Sequence, residues 1–572
     1  EYQRIWDDLQ PMRELFNLAL AINLGFEKPR PFLNLEELEF KLGQDAEERL
    51  DSINVLHLPL AFPEVMTRER PGFDVVLGNP PWDKVKVEEH TWWTIRIPGL
   101  RSMKQSEKNA AIKRARETRP DLAAAYEREK TEVAAQAEVL KKSKYLIGAG
   151  DTDLYKIFLW RDWDILRYEG RIGVVAPRAA LSGSGTETWR REVLANGSFE
   201  DLCLVVNNGG WMFESVHPQY TVALITAERG EGDRVRFHGP YRSFDHFAEG
   251  ITDQDIRISV TEEEFASWSP TLTVPLIPSV DARDVFLQMQ RSPRFEAANV
   301  SRDFRFVREL DTSKEKPYFD FSFENHRGEL EIWTGKSFNL WAPESGPIYA
   351  TADYETVTKL ISNRRNRQIT RKGGAFEGFS TAWAESPSTL PLQQPRIAFR
   401  DVARSTDTRT FLTCLIPGGI ALVEKAPYLF NRTGSKALEA LVLGIISSRP
   451  FDWNARRIVE NKVSLGVLKS LPFPDTDPQG VLERRLIENS GRLAAVDDRY
   501  AEWANAVGVP VGSASDPEVK RELIAENDAI VAKLYGLNRE QLTVLFETFH
   551  IGWDYSDDLA RTLKYFDALE DN

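Results

Sequence analysis

The chain has 572 residues, 42% hydrophobic and 28% charged, and a formal net charge of −14 at pH 7. That balance excludes a disordered, collagen-like or coiled-coil chain, and the length suffices for several domains with their own cores. Two cysteines, Cys203 and Cys414, exclude a disulfide framework, and the seven scattered histidines lack metal-site spacing, so no metal and a reducing cytoplasm are expected.

From Tyr2 to about Gly43, Ile5, Leu9, Leu15, Leu18 and Ile22 recur at helical spacing, closed by Gly25, Pro29 and Pro31. The text opens at Glu1, without methionine, as if inside a helix, so an absent N-terminal part is expected. No apolar run reaches the roughly 20 residues that span a bilayer, and no membrane association is expected. Phe73-Asp74-Val75-Val76-Leu77-Gly78 has the signature of a buried parallel strand, ended by Asn79-Pro80-Pro81-Trp82, because two prolines leave the ladder. Residues 102–144, dense in Lys, Arg, Glu and Ala and broken at Pro120, read as a helical hairpin whose charges face solvent. A helix over 153–168 and strands over 171–176, 202–206 and 220–227 follow. This alternation predicts an α/β fold with a mostly parallel sheet to about residue 230.

Between about 275 and 475, short aromatic strands such as Phe319-Asp320-Phe321 and Phe411 to Ile416 predict a mixed α+β domain. The tail from 480 is helical, with Gly536 as a stop and Asn538 with Gln541 as a capping box. The expected domains are therefore 1–235, 275–475 and 480–572.

The segment 73–82 carries the most chemistry. An Asn at the carboxyl end of a buried strand sits where open α/β sheets bind ligands, and the two prolines hold it rigid. Its side-chain oxygen and the Pro80 carbonyl are two acceptors, matched to the two N–H donors of an exocyclic amine. Gripping both turns the nitrogen lone pair towards an electrophile, while Trp82 stacks on the attached base. A strand ending in an ordinary proline turn, with Trp82 as core filling, is the bland alternative.

Here the chain resembles the gamma-class adenine-N6 DNA methyltransferases, in particular type IIG restriction-modification enzymes and the methyltransferases of BREX and DISARM phage defence. The resemblance runs through LPLAFPEV (58–65), FDVVLGNPPW (73–82), DLYKIFLW (153–160), GRIGVVAPRAAL (170–181), GGWMFESVHPQYTVALI (209–225), RELDTSK (308–314), PRIAFRDVARSTDTRT (395–410) and LKSLPFPD (468–475). It implies a partial Rossmann-like methyltransferase sheet, a target-recognition domain and a helical tail. It implies Asn79, Pro80, Pro81 and Trp82 as the catalytic segment, Phe213 as a second aromatic on the target base, and S-adenosylmethionine as cofactor beside Asp153, Tyr155 and Phe158. The family's glycine-rich cofactor loop and ribose-binding acid have no match in residues 1–72; either they lie on an N-terminal part preceding Glu1, which the opening without methionine favours, or this polypeptide does not bind S-adenosylmethionine.

Between 361 and 410, nine basic residues (Arg364, Arg365, Arg367, Arg371, Lys372, Arg396, Arg400, Arg404, Arg409) stand against four acidic ones. Interleaved with Phe376, Phe379, Trp383 and Phe399, they suit phosphate contact and base reading on double-stranded DNA; the alternative is a solvated loop. No nuclease signature and no phosphate-cradling loop for ATP is present. The expected function is transfer of a methyl group from S-adenosylmethionine to N6 of a flipped adenine, with other subunits of a defence complex as candidate partners. The alternative is a methyltransferase-like DNA-binding subunit without activity of its own.

Overall fold

The run at 73–78 forms a strand, β1 (Phe73–Gly78), which opens a six-stranded sheet with β2 (Leu166–Pro177), β3 (Gly197–Val206), β4 (Thr221–Arg229), β5 (Arg234–Tyr241) and β6 (Ile258–Thr261). The computed structural model describes residues 2–28, 42–52, 55–142, 152–214, 216, 220–253, 256–269, 271–322, 330–403, 407–459, 462–550 and 552–569. These divide into two units, Glu1–Val274 and Pro275–Asn572.

In the first unit the strand order is β1-β2-β4-β3-β5-β6. β1 and β2 are parallel, as are β3 and β5. β4 runs antiparallel to both β2 and β3, and β6 to β5. The sheet is thus mixed rather than mostly parallel, and it continues past residue 235. β4 misleads because it lies mid-sheet with most of both faces covered. An antiparallel strand so placed loses its polar alternation and reads like a parallel one.

β1 corrects a second expectation. It is the edge of the sheet, with Val75 56% and Leu77 78% exposed, and among the described residues no strand pairs with its outer side. It is fastened to β2 through Asp74, whose carboxylate accepts from Arg167 Nε at 2.5 Å and Arg68 Nη2 at 2.9 Å. These two guanidinium bonds hold the carboxyl down at about 2.

The charged hairpin forms as helices Gln105–Thr118 and Pro120–Lys142, with Pro120 at a first helical position, where its missing N–H is harmless. Its inner face shares an apolar core with the helix Glu89–Arg96, built from Trp92, Trp93, Leu100, Ile112 and Tyr126. Its outer charges pair locally, as in Arg116 with Glu89 at 2.8 Å and Glu127 at 3.2 Å. The helix expected over 153–168 is shorter, Leu154–Asp164, because the backbone turns at Ile165 into β2.

The second unit holds two small sheets. β7 (Phe304–Val307), β10 (Arg396–Phe399), β11 (Thr413–Ile416) and β13 (Tyr428–Asn431) pair antiparallel in the order β11-β10-β13-β7. β8 (Leu330–Trp333), β9 (Ala350–Ala352) and β12 (Ile420–Leu422) form the other, in the order β12-β8-β9. Phe319-Asp320-Phe321 is not a strand: among the described residues only Asp320 pairs, with Thr351, while both phenylalanines pack edge-on against Tyr349. The helical tail belongs to this same unit rather than forming a third. Its helices Val481–Ala494 and Pro517–Leu534 pack on one another, and the first packs on the helix Lys436–Ser447. Gly536 takes a left-handed φ of 69° after the helix ending at Leu534, and Asn538 caps the next with Gln541 reciprocating. Among the described residues no helix is long and apolar enough to cross a membrane.

Asp162, on the helix Leu154–Asp164, is 8% exposed, and burial pushes its carboxyl up to about 6 against the pull of Arg161. A carboxyl whose folded pKa is raised costs stability as pH climbs from its unfolded value near 4 to above 6. Asp162→Asn is therefore expected to raise the unfolding free energy at pH 8 by up to about 3 kcal/mol and to change it little at pH 3.5. Urea titrations at the two pH values check this; equal gains at both would assign the effect to something other than the carboxylate.

Candidate functional site

Strand direction creates the site. β1 is parallel to β2, and β4 is antiparallel to both β2 and β3, so β1, β2 and β3 all end on one edge of the sheet. Asn79 leaves that edge after β1 and is exposed, Pro80 is buried beneath it, Pro81 is exposed and Trp82 is half-buried. β2 and β4 stand between β1 and β3, a span of roughly 14 Å at ordinary strand spacing. The loops nevertheless converge: Trp82, after β1, meets Phe213, after β3, edge to face, with ring centres 6.1 Å apart and planes at 71°. Two aromatic rings meeting at 71°, one of them three residues after the exposed Asn79 amide, suit a planar group carrying an amine.

Asn207, at the end of β3, holds the Phe213 loop, and the sequence reading missed it. Its side chain donates to the carbonyls of Phe213 (2.8 Å) and Val216 (3.0 Å) and accepts from the N–H groups of Met212 (3.1 Å) and Phe213 (3.0 Å). The available signal was its position, an amide directly after an apolar strand and before Gly209-Gly210. Ser215, His217, Pro218 and Gln219 of the same segment lie outside the described residues.

The segment after Trp82 is tied to the expected cofactor side. The Leu154 N–H donates to the Asp83 carbonyl and the Val85 N–H to the Thr152 carbonyl, both at 2.8 Å, which sets Lys84 opposite Asp153. Asp153 forms a nearly buried ion pair with Lys156 at 2.7 Å. Tyr155 points inward at 5% exposure, whereas Phe158 is 40% exposed. Of these three, Phe158 is the one that offers a free ring to a planar group. A groove of about 790 Å³ adjoins Trp82, lined among others by Lys84, Val87, Thr91, Trp92 and Ile95.

The basic residues of 361–410 divide by burial. Arg396 is buried against Glu309 at 2.9 Å, and Arg364 grips Glu315 with two bonds of 2.7 Å. Arg365 is buried over the Trp383 ring at 4.0 Å and donates to Thr389 Oγ1 and the Trp383 carbonyl. Arg400 donates to the carbonyls of Gly335 and Phe338, and Arg409 lies 3.6 Å from the buried Asp452. These five are used by the fold. Arg367, Arg371 and Lys372 are exposed, and Arg404 lies outside the described residues. Glu309 also accepts from the Leu422 N–H, so RELDTSK, through Glu309, holds β10 and β12 together. Burial pushes the Glu309 carboxyl up, opposed by Arg396.

No known family model matches the chain, and no curated protein matches its sequence. Among solved structures, it is similar to the type IIL restriction-modification enzyme MmeI in complex with DNA, at 11% identity over 72% of this chain and 54% of that one, with a TM-score of 0.37. It is similar to the type IIG restriction endonuclease BpuSI at 14% identity over 70% and 52% of the two chains, TM-score 0.25. It is similar to the ATP-dependent type ISP restriction-modification enzyme LlaBIII bound to DNA at 10% identity over 83% and 32%, TM-score 0.38. The chain spans about half the length of the first two. Function is carried by sites rather than by resemblance of outline.

The division of the arginines is testable without any substrate. Arg396→Ala strands Glu309 in the core and is expected to lower the unfolding free energy by about 3–5 kcal/mol. Arg371→Ala and Lys372→Ala should stay within about 0.5 kcal/mol of the unsubstituted protein. Denaturant unfolding followed by tryptophan fluorescence measures all three.

Proposed function

We propose that this chain carries the amine site and the DNA-reading part of an adenine-N6 DNA methyltransferase of the restriction-modification or phage-defence kind, acting on double-stranded DNA in the cytoplasm. The observation that carries the reading is the convergence of Trp82, three residues after Asn79, with Phe213 at the carboxyl edge of the sheet. In this reading Asn79 Oδ1 and the Pro80 carbonyl accept the two N–H groups of an adenine flipped out of its duplex. The pair orients the nitrogen lone pair, which is weakly nucleophilic because it is conjugated with the ring. Fixed geometry and two acceptors, rather than a strong base, then lower the barrier. Trp82 stacks on the base and Phe213 closes it from a second side.

When bound, S-adenosylmethionine supplies a methyl carbon activated by its sulfonium. Phe158 fits as the ring that borders its adenine, since it is exposed while the helix bearing it is clamped to the strand-end segment after Trp82. Asp153, paired with Lys156, and Tyr155, packed inside, support that clamp. The exposed Arg367, Arg371 and Lys372 contact phosphates, and other subunits of a defence complex are partners of the same reading. A DNA-binding subunit without activity of its own is the second reading. It is favoured by the commitment of Asp153 and Tyr155 to the fold, which leaves Phe158 as the one of the three open to a cofactor.

Asn79→Ala, made in the full-length protein, is expected to lower methyl transfer by about 10²–10³-fold while leaving the unfolding midpoint unchanged, because the side chain is exposed. Trp82→Phe should keep most activity, and Trp82→Ala should lose stacking worth roughly 1–3 kcal/mol. Incorporation of labelled methyl groups into DNA reads both. Near-normal transfer by Asn79→Ala would sink the mechanism; absence of transfer by the unsubstituted protein, with DNA binding intact, would favour the second reading.

A further inference from the structure

We infer that Asn207 is a positioning residue, which fixes the second aromatic wall of the amine site by holding both backbone polar groups of Phe213; this deepens the function proposed above and rests on it. A side-chain amide has two N–H donors and two acceptor lone pairs. At Asn207 all four are used within one loop: both donors on the carbonyls of Phe213 and Val216, both lone pairs on the N–H groups of Met212 and Phe213. The side chain is fully buried, so no water competes for these bonds. Aspartate has the same shape but no donors, leucine has neither function, and glutamine is a methylene too long.

The backbone of Asn207 closes the loop as its side chain fills it. Its N–H donates to the Tyr220 carbonyl at 2.9 Å, and its carbonyl accepts from Gly210 at 3.0 Å. Gly209 and Gly210 make the turn with left-handed φ values of 70° and 77°, and an added Cβ would meet open space at either, so only backbone conformation demands glycine there. Trp211 then locks the exit: its Nε1 donates to the Val206 carbonyl at 2.9 Å and its ring packs near Phe247. Phe213 thus leaves a surface loop with its N–H and its carbonyl both held by one buried amide, and its ring reaches Trp82. Without the amide, the Met212 and Phe213 N–H groups have no other partner among the described residues, and the ring loses its fixed origin.

The test uses the full-length protein with Asn207→Ala and the equal-volume Asn207→Asp, which keeps the acceptors but sets an oxygen against two carbonyls. Both are expected to transfer methyl groups roughly 10- to 100-fold more slowly, the loss a misplacement of about 1 Å brings, with DNA affinity unchanged to within about twofold. Asn207→Asp should recover part of its rate, relative to the unsubstituted protein at each pH, as pH is lowered and the carboxyl gains a proton to donate. In a Phe213→Ala background, Asn207→Ala should add less than about a twofold further loss, since the two act as one unit. A full additional loss in that background, or folded variants with unchanged rates, would overturn the inference. Loss of folding in both variants would also overturn it, by making Asn207 a folding residue only. If the unsubstituted protein transfers no methyl group, the proposed function itself fails; if it does and the Asn207 variants match it, the positioning role alone fails.

Discussion

The contact between Trp82 and Phe213 exists because one strand runs against its neighbours. With β4 reversed between β2 and β3, the chain can leave β3 at the carboxyl edge, form a loop there and re-enter the sheet from that same edge. A parallel β4 would need a long crossover to the opposite edge, and the segment carrying Phe213 would be drawn away from Asn79. The two prolines after Asn79 have the matching role on β1, since neither can donate to a ladder and the chain must turn across the edge. Position, rather than any unusual residue, makes the site.

Much of this was legible in the sequence, and the unread parts share a cause. β1, the hairpin broken at Pro120 and the capping box at Asn538 were readable because each is set by local chemistry: strand propensity, a missing N–H, a reciprocal pair of bonds. The direction of β4 was not, because burial on both faces removes the alternation that distinguishes an antiparallel strand. The single pairing of Asp320 was hidden for a related reason: aromatic residues that pack on Tyr349 resemble those that build a strand. At the site, Asn79 and Trp82 stood out as a contiguous motif. Asn207 did not, because its four partners are defined only once the loop is folded.

Charge was the least legible property. A count of nine cations against four anions treats every arginine as surface, yet Arg396, Arg365 and Arg409 are enclosed by carboxylates, carbonyls and rings. Arginine tolerates this because its planar fork meets several acceptors at once and its faces stack on aromatic rings. The second unit repeats the device at Arg449, which bonds Asp528 at 3.0 Å, pairs with Asp558 and lies by Phe546 and Tyr555. Such pairs are weak evidence for net stability, but each is costly to break from one side.

The open edge of β1 has a colloidal consequence. Among the described residues nothing pairs with the outer backbone groups of β1, and beside exposed Val75 and Leu77 these form a template on which another strand can add, including the same strand of a second copy. Mutual repulsion between chains that each carry a net charge of −14 opposes that encounter. Salt shortens the reach of the repulsion, to about 10 Å at 0.1 M and about 3 Å at 1 M, while leaving the apolar attraction in place. Solutions of this chain should therefore be clearest when dilute in electrolyte and turn cloudy as ionic strength rises, the reverse of a protein whose self-association is driven by opposite charges.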